Sequence, residues 1–465
     1  MFNWLKNFKN ICVFSVLIIS FPLSALAKEF IVNNTTDQAD ANFGGVFDGV
    51  CETVIGNGAC TLRAAIQEAN DTSEKDTITL PEGEIILIGN SGDDNNLGGD
   101  LDIVEDLLLR GVSGRKTIIK SSGSDRVIHM GNSSSVEIYD LSIRDGRLQD
   151  DNGAGIFNAG GSLTIKNCMI LNNINQSISF SNGGGIFHQA GDLTIENTTI
   201  SQNQATDQDG GGIYISSGTV ELKNSTISRN FAGSSGGGIL SNGPLNISNS
   251  TVTLNESFGI GGIGCGGNCS LHNSIIAGNL ELNGGTHDCN GIVILGGNNI
   301  IGDDTDCNIQ GGDNTEKIGT SDSPIAPLLG PLQNNGGPTD THALLEGSPA
   351  INNGDNANCP DTDQRGVVRD DGNCDIGAYE ATCGDNIKQI VEECDDGNGA
   401  DGDGCSSSCL LENAIGGTGT GSGSSGGCAF AKGNPQNSPV WFLTLLAFMG
   451  IGLVFRGLKK VKRFQ

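Results

Sequence analysis

One phrase recurs through the middle of this 465-residue chain and constrains the fold more than any other feature. GAGIF starts at Gly153, GGGIF at Gly183, GGGIY at Gly210 and GGGIL at Gly236, with a degenerate copy at Gly261-Gly262-Ile263. Each is followed by a short alternating run closed by an asparagine: Asn167, Asn197, Asn224, Asn249 and Asn273. Six residues on stands a second set: Asn173, Asn203, Asn230, Asn255 and Asn279. A fixed period of 24 to 30 residues marks a stacked repeat. The alternation means strands, and no 3.6-residue period is present for a crossover helix. Stacking such coils pairs each strand with its equivalent at ~4.8 Å. The expected fold is therefore all-β, a single-stranded right-handed parallel β-helix.

Individual columns can be assigned on this picture. Leu163, Leu193, Val220 and Leu245, with Ile165, Ile195, Leu222, Ile247 and Leu271, should face inward. Cys168 takes the slot of Thr198, Ser225, Ser250 and Ser274, which makes it a small buried filler. The stacked asparagine amides should hydrogen-bond from coil to coil. Less regular coils are expected upstream, at VEIYDLSI (from Val136) and DLLLRGV (from Asp106). A last coil is expected downstream, at GIVILGGNNIIG (from Gly291). The GGGI and I-x-x-N pattern resembles the repeat of polymorphic outer-membrane proteins and other bacterial β-helix surface proteins. Aliphatic Ile200, Ile227 and Ile276 stand where phenylalanine is usual.

A solenoid needs its open ends covered. The segment from Cys60 to Asn70 reads as a short amphipathic capping helix, and residues 28–77 resemble the CSLREA segment of bacterial β-helix proteins. With Ala64 in place of the glutamate, Thr61 lacks the partner for a capping box. After the β-helix, assigned to 78–310, residues 311–381 resemble the choice-of-anchor Q domain through PLQNNGGPTDTHAL, EGSPAINNG, DQRGVVR and CDIGAYE. Such domains precede surface-anchoring tails, and Asp363, Arg365 and Asp375 are expected to lock its loops. Residues 382–412 resemble the cysteine-rich repeat of myxobacterial-type surface proteins.

Both termini read as export signals. Lys6 and Lys9, the apolar run Ile11–Phe21 and Ser24-Ala25-Leu26-Ala27 make a secretory signal over 1–27, cut after Ala27. A Gly/Ser linker (413–427) leads to Cys428, the apolar stretch Val440–Phe455 and a basic tip. Sixteen such residues span about 24 Å as a transmembrane helix, short against a ~30 Å core. Residues 428–465 resemble GlyGly-CTERM and MYXO-CTERM sorting tails, which implies processing at Gly427 and Cys428, with lipid on Cys428. A permanent membrane anchor is the alternative.

Composition fits an exported chain. Glycine is 72 residues, but only 11 prolines and no Gly-X-Y period exclude collagen. Acids outnumber bases 54 to 25, giving a net charge of −29, which excludes nucleic acid as a partner. Of 15 cysteines, Cys12 falls in the signal, Cys428 at the sorting site and Cys168 among the buried fillers; the remaining even set reads as disulfides. Four pairs are close in sequence: Cys51/Cys60, Cys265/Cys269, Cys289/Cys307 and Cys359/Cys374. Cys383, Cys394, Cys405 and Cys409 share the small module, their pairing open.

Three groups are candidates for chemistry. Asp395, Asp396, Asn398, Asp401 and Asp403 crowd oxygen ligands into one loop, which suits calcium without EF-hand spacing; the alternative is a solvated acidic turn. Phe157, Phe187, Tyr214 and Leu240 face outward as a ligand-binding stripe if the isoleucines before them face inward. The column Asp151, Asn182, Asp209, Ser235 offers two carboxylates roughly 9.6 Å apart, near the inverting-glycosidase limit. Asp or Asn before Gly is equally what any turn uses. Lys166, Glu196 and Lys223 read as neighbouring charges satisfying one another. No residue is assigned a catalytic role. The expectation is a cell-surface or secreted adhesive or structural scaffold for a glycan or protein surface, held to the membrane by its tail. A carbohydrate-active enzyme on the same scaffold is the alternative.

Overall fold

The structure, a computed structural model, describes residues 26–45, 47–89, 96–176, 181–369, 372–384, 393–395, 400–401, 405–406 and 409–412. It is an all-β parallel solenoid of the right-handed type, with about 8 turns. Repeated phrases stack in register: Leu163, Leu193, Val220, Leu245 and Cys269 are successive neighbours, as are Ile165, Ile195, Leu222, Ile247 and Leu271. Ile156, Ile186, Ile213, Ile239 and Ile263 form another buried file, and Ile170, Ile200, Ile227, Val252 and Ile276 a fourth. Four aliphatic side chains per coil, each worth about 1.5–3 kcal/mol of burial, drive the stacking. The upstream coils at Leu107–Arg110 and Ser135–Tyr139 join the same ladder. The coil after Gly291 is followed by one more partial rung, Cys307–Gly311 and Lys317–Ile318. The ladder starts before residue 78, because Glu29–Ile31 pairs with Asp76–Thr79.

Each glycine of the triplet answers a separate demand. Gly183 has φ +77°, a left-handed conformation that an L side chain resists. Cβ atoms on Gly184 and Gly185 would lie 2.4 and 2.5 Å from the carbonyl oxygens of Gly211 and Gly212 in the next coil. The phrase recurs because successive coils repeat the close approach, with Ala154 standing at the middle position only in the first copy.

The second asparagine file is a buried hydrogen-bonded ladder. Each side-chain amide donates to the Oδ1 of the next, at 2.9 Å (Asn173 to Asn203), 3.0 Å (Asn203 to Asn230), 2.9 Å (Asn230 to Asn255) and 2.9 Å (Asn255 to Asn279). Its second proton goes back to a carbonyl such as Ile200 O, and each Oδ1 also accepts the backbone N–H of the preceding asparagine. Every polar atom is thus used, as burial requires. The ladder ends on Asp288, whose carboxylate accepts both Asn279 groups at 2.8 Å and Asp303 N–H at 2.9 Å. An acceptor-only group suits a last rung that has nothing left to donate to. The first asparagine file sits at left-handed turns (φ 47–56°) and bonds the opposite way, Asn224 to Asn197 to Asn167. Beyond Asn224 that file breaks: Asn249 and Asn273 turn to the Cys359 and Cys374 sulfurs. Cys168 is buried as expected, within the Ser/Thr file, and burial pushes its thiol up to about 12.

Helix Leu62–Ala69 covers the N-terminal end, with Thr61 Oγ1 accepting Ala64 N–H at 3.2 Å and Asn70 as C-cap. It is amphipathic as expected, but its polar face is covered too, so that all eight residues are buried. Residues 33–60 cover its outer side, where Arg63 makes a two-point pair with Asp37 (2.6 and 3.0 Å). The other guanidinium donors close on Asn96 Oδ1 and the Gly99 and Asp100 carbonyls.

Residues 320–380 lie along the side of the solenoid, against the sheet of Thr199–Ser201, Thr226–Ser228 and Thr251–Thr253. Gln364 bridges Thr199 and Thr226 at 2.9 and 2.6 Å, and Thr251 accepts Ala378 N–H at 3.2 Å. Arg115 binds Asp340 and the Thr339 carbonyl. The expected locking charges are internal to this strap: Arg365 pairs with fully buried Asp363 at 2.7 Å and stacks on Tyr379 at 3.6 Å, and Asp375 accepts the Asn352 and Ala381 amides.

His342, on the strap, reaches into the solenoid, as His272 on the solenoid reaches Asp355 of the strap at 3.3 Å. His342 Nδ1–H donates to Gly330 O at 2.7 Å, and its Nε2 accepts the Ser228 hydroxyl at 2.9 Å. Burial pushes its pKa down to about 4, below the ~6.5 of an unfolded histidine. A depressed pKa contributes stability above pH ~6.5 that is lost as pH falls through 4. Between pH 7 and pH 4 the strap is therefore expected to become more open to proteolysis, and His342→Gln to flatten that dependence. Equal pH response in the two proteins would refute the assignment.

Candidate binding face

The strands Ile128–Met130, Ile156–Asn158, Ile186–His188, Ile213–Ile215 and Ile239–Ser241 each turn their first and third residues inward. Each middle residue therefore points out. In register with Leu101–Ile103 they form one outward column: Asp102, His129, Phe157, Phe187, Tyr214, Leu240. The isoleucines before the aromatic residues are core, so Phe157, Phe187 and Tyr214 face outward. His129 stacks on Phe157 (centroids 5.1 Å), Phe157 lies 5.3 Å from Phe187, and Phe187 stacks on Tyr214 at 5.2 Å with planes 7° apart. The rings cover one another's faces, leaving Phe187 only 8% exposed. What they present is a ridge of ring edges, with the Tyr214 hydroxyl accepting Asn242 Nδ2 at 3.1 Å.

A polar cluster closes the N-terminal end of the ridge. His129 Nδ1 meets Asp102 at 3.1 Å, and Arg126 Nε meets buried Asp100 at 2.5 Å. Arg126 also binds Asp151 and lies over Phe157, 5.3 Å from its centroid. Asp125 accepts the Arg126 and Asp100 backbone amides. Burial raises Asp100 to about 7 despite the guanidinium, and raises Asp125 as well. Ligand atoms of Asp100, Asp102 and His129 fall within 4.8 Å of one another, but Arg126 already supplies the cation there. This cluster was not anticipated from the sequence. Only the ladder register brings Asp102 beside His129, across an irregular upstream coil with no repeat phrase.

The proposed carboxylate column needs correction. Asn152, not Asp151, precedes Gly153 and shares the column of Asn182, Asp209 and Ser235. Asn182 N–H donates to Asn152, Asp209 N–H to Asn182, and Ser235 N–H to Asp209. Asp151 stands one place out of that file, held by Arg126, so the two carboxylates do not face a common site. The other outward column, Tyr139, Lys166, Glu196, Lys223, Ser248 and His272, stacks as expected. Lys166 pairs with Glu196 at 3.0 Å, whereas Lys223 turns to Glu221 at 2.6 Å.

Two grooves lie towards the C-terminal coils. One, of about 680 Å³, is lined by Leu280, Glu281, Leu282, His287, Asp303 and Thr305. There His287 is held between Glu281 at 3.4 Å and Asp306 at 3.3 Å. The other, of about 540 Å³, lies among Gln204, Arg229, Phe231, Leu254 and Glu256.

Among the described residues six disulfides close the fold: the four pairs expected from spacing, plus Cys383–Cys409 and Cys394–Cys405. Such a set is compatible with an exported protein. Of the calcium candidates, Asp395 and Asp401 are described; Asp396, Asn398 and Asp403 lie outside the described residues. Ala27 is exposed, while Gly427, Cys428 and the apolar tail lie outside the described residues. Among the described residues no helix is long and apolar enough to cross a membrane. No family model, curated protein or solved structure matches this chain.

Proposed function

We propose that this chain is an exported β-solenoid displayed at the cell surface, acting as an adhesive or structural scaffold for a glycan or protein surface. The observation that carries this reading is the outward ladder His129–Phe157–Phe187–Tyr214, which folding does not require, since the core side of the same strands is filled by isoleucines. Aromatic edges in a row, capped by a charged cluster, suit an extended partner better than a small molecule. The resemblance of the strap to choice-of-anchor Q domains, and of the tail to processed sorting signals, supports display on the membrane through a C-terminal helix or a lipid on Cys428. Calcium belongs to the proposal too: the Cys394–Cys405 disulfide closes the loop that carries the five oxygen ligands.

Glycan- and protein-array binding by the soluble region 28–427 tests the reading. Phe187→Ala with Tyr214→Ala is expected to weaken array binding at least about tenfold, the range for truncating interface anchors, with the circular dichroism unchanged. Binding that survives the double substitution would refute the ridge as the contact. The enzyme reading is favoured by one feature, the Glu281–His287–Asp306 constellation, of which Glu281 and His287 line the larger groove. Release of sugar fragments that is lost in Glu281→Gln would establish it instead.

A further inference from the structure

We infer that the buried carboxylate of Asp76 is the seat for the chain's own α-amine once cleavage after Ala27 has freed it at Lys28. The inference rests on reading 1–27 as a removed signal and adds a structural consequence to that removal. Leu26 is 81% exposed and Ala27 is exposed, in no strand. The next residue is held: Lys28 N donates to Asp76 Oδ1 at 2.6 Å, and Lys28 O accepts Thr77 N–H at 2.9 Å. From there Glu29–Ile31 runs as the first rung of the solenoid beside Asp76–Thr79. Among the described residues, the first one that the fold holds is thus the one that follows the cleavage point marked by Ser24-Ala25-Leu26-Ala27.

Asp76 is 0% exposed. Its other oxygen accepts the Thr72 hydroxyl at 2.7 Å, and among the described residues no lysine or arginine side chain pairs with it. A fully buried carboxylate held by one amide and one hydroxyl is under-compensated, because neither partner carries the opposite charge. Hydrolysis of the Ala27–Lys28 bond changes that. Water adds across the amide, Ala27 leaves with the new carboxylate, and Lys28 N becomes an ammonium in the place its amide already occupies. The amide–carboxylate hydrogen bond becomes an ammonium–carboxylate ion pair, in which the donor as well as the acceptor is charged, with no movement of the fold. Helix Leu62–Ala69 packs against Asp76–Thr79, so the lock tightens the cap as well as the first rung. Signal removal is then a maturation step and not only a release from the membrane.

The test compares two full-length chains to Gln465, one beginning at Lys28 and one at Ala27, each with Asp76 and with Asp76→Asn. Amide exchange at Thr77 to Thr79 is expected to be about tenfold slower in the chain that begins at Lys28. Asp76→Asn should abolish that difference. Equal exchange in the two unsubstituted chains, or a difference that persists in Asp76→Asn, overturns the lock; the first comparison needs no substitution, so it stands even if Asp76→Asn does not fold. Intact mass of the exported protein reports the processing separately. A start at Lys28 supports it, and a start elsewhere overturns the signal reading itself.

Discussion

Asn230→Ala is expected to lower the unfolding free energy by about 4 kcal/mol, the upper range for a single substitution. Asn230 is 1% exposed and sits mid-ladder. Its Oδ1 accepts both the side-chain amide and the backbone N–H of Asn203, and its own amide donates to Ile200 O and Asn255 Oδ1. Alanine strands two donors and two acceptors in the core, each costing about 1–3 kcal/mol where water does not refill the gap. Asn167→Ala removes an amide from the half-buried start of the other file, where water replaces the lost partner. Its cost should be about 1–2 kcal/mol, mostly from putting alanine at φ 56°. Urea unfolding of both variants measures the contrast. Equal shifts would mean that the inner file is not the buried continuous ladder described.

Arg365→Met is expected to cost about 3–5 kcal/mol, because it leaves Asp363 charged, buried and without its cation. The loss should fall on the strap alone. Arg365 also stacks on Tyr379 and donates to Glu380 O, so the same substitution loosens both ends of residues 363–380. Solenoid rungs make their own hydrogen bonds without the strap. Limited proteolysis should therefore cut within 320–380 while the rungs from Leu163 to Leu271 stay protected. Simultaneous loss of rungs and strap would show that the two are one cooperative unit.

The regular coils were legible because five copies state the same inward and outward positions, so an error in one is corrected by the next. Leu163, Ile165, Asn173 and their equivalents needed only the repeat to be placed. Cys168 was readable for the same reason, from the hydroxyls in its column. The strap's location was not. Thr199, Thr226 and Thr251 look like ordinary outward strand positions, and nothing local says that Gln364 and Ala378, more than a hundred residues later, cover them. Asp151 was misplaced by one residue because the run Asp150-Asp151-Asn152 offers three turn-formers before Gly153, and only the coil-to-coil bond to Asn182 selects Asn152. Asp102 and His129 went unpaired because their coils lack the glycine phrase that fixes register elsewhere. Arg63 reads as the polar face of a helix, and its burial depends on the distant Asp37 and the 96–100 loop.

Spin-label distances along the outward column Glu137, Thr164, Thr194, Glu221, Asn246, Ser270 test the stacking most directly. Labels at Glu137 and Ser270 span five rungs and should lie about 24 Å apart at ~4.8 Å per rung, those at Thr164 and Ser270 about 19 Å. Distances that rise by one strand spacing per coil are the predicted result. Distances unrelated to the number of intervening coils would contradict the parallel column on which the binding face, the asparagine ladder and the strap all depend.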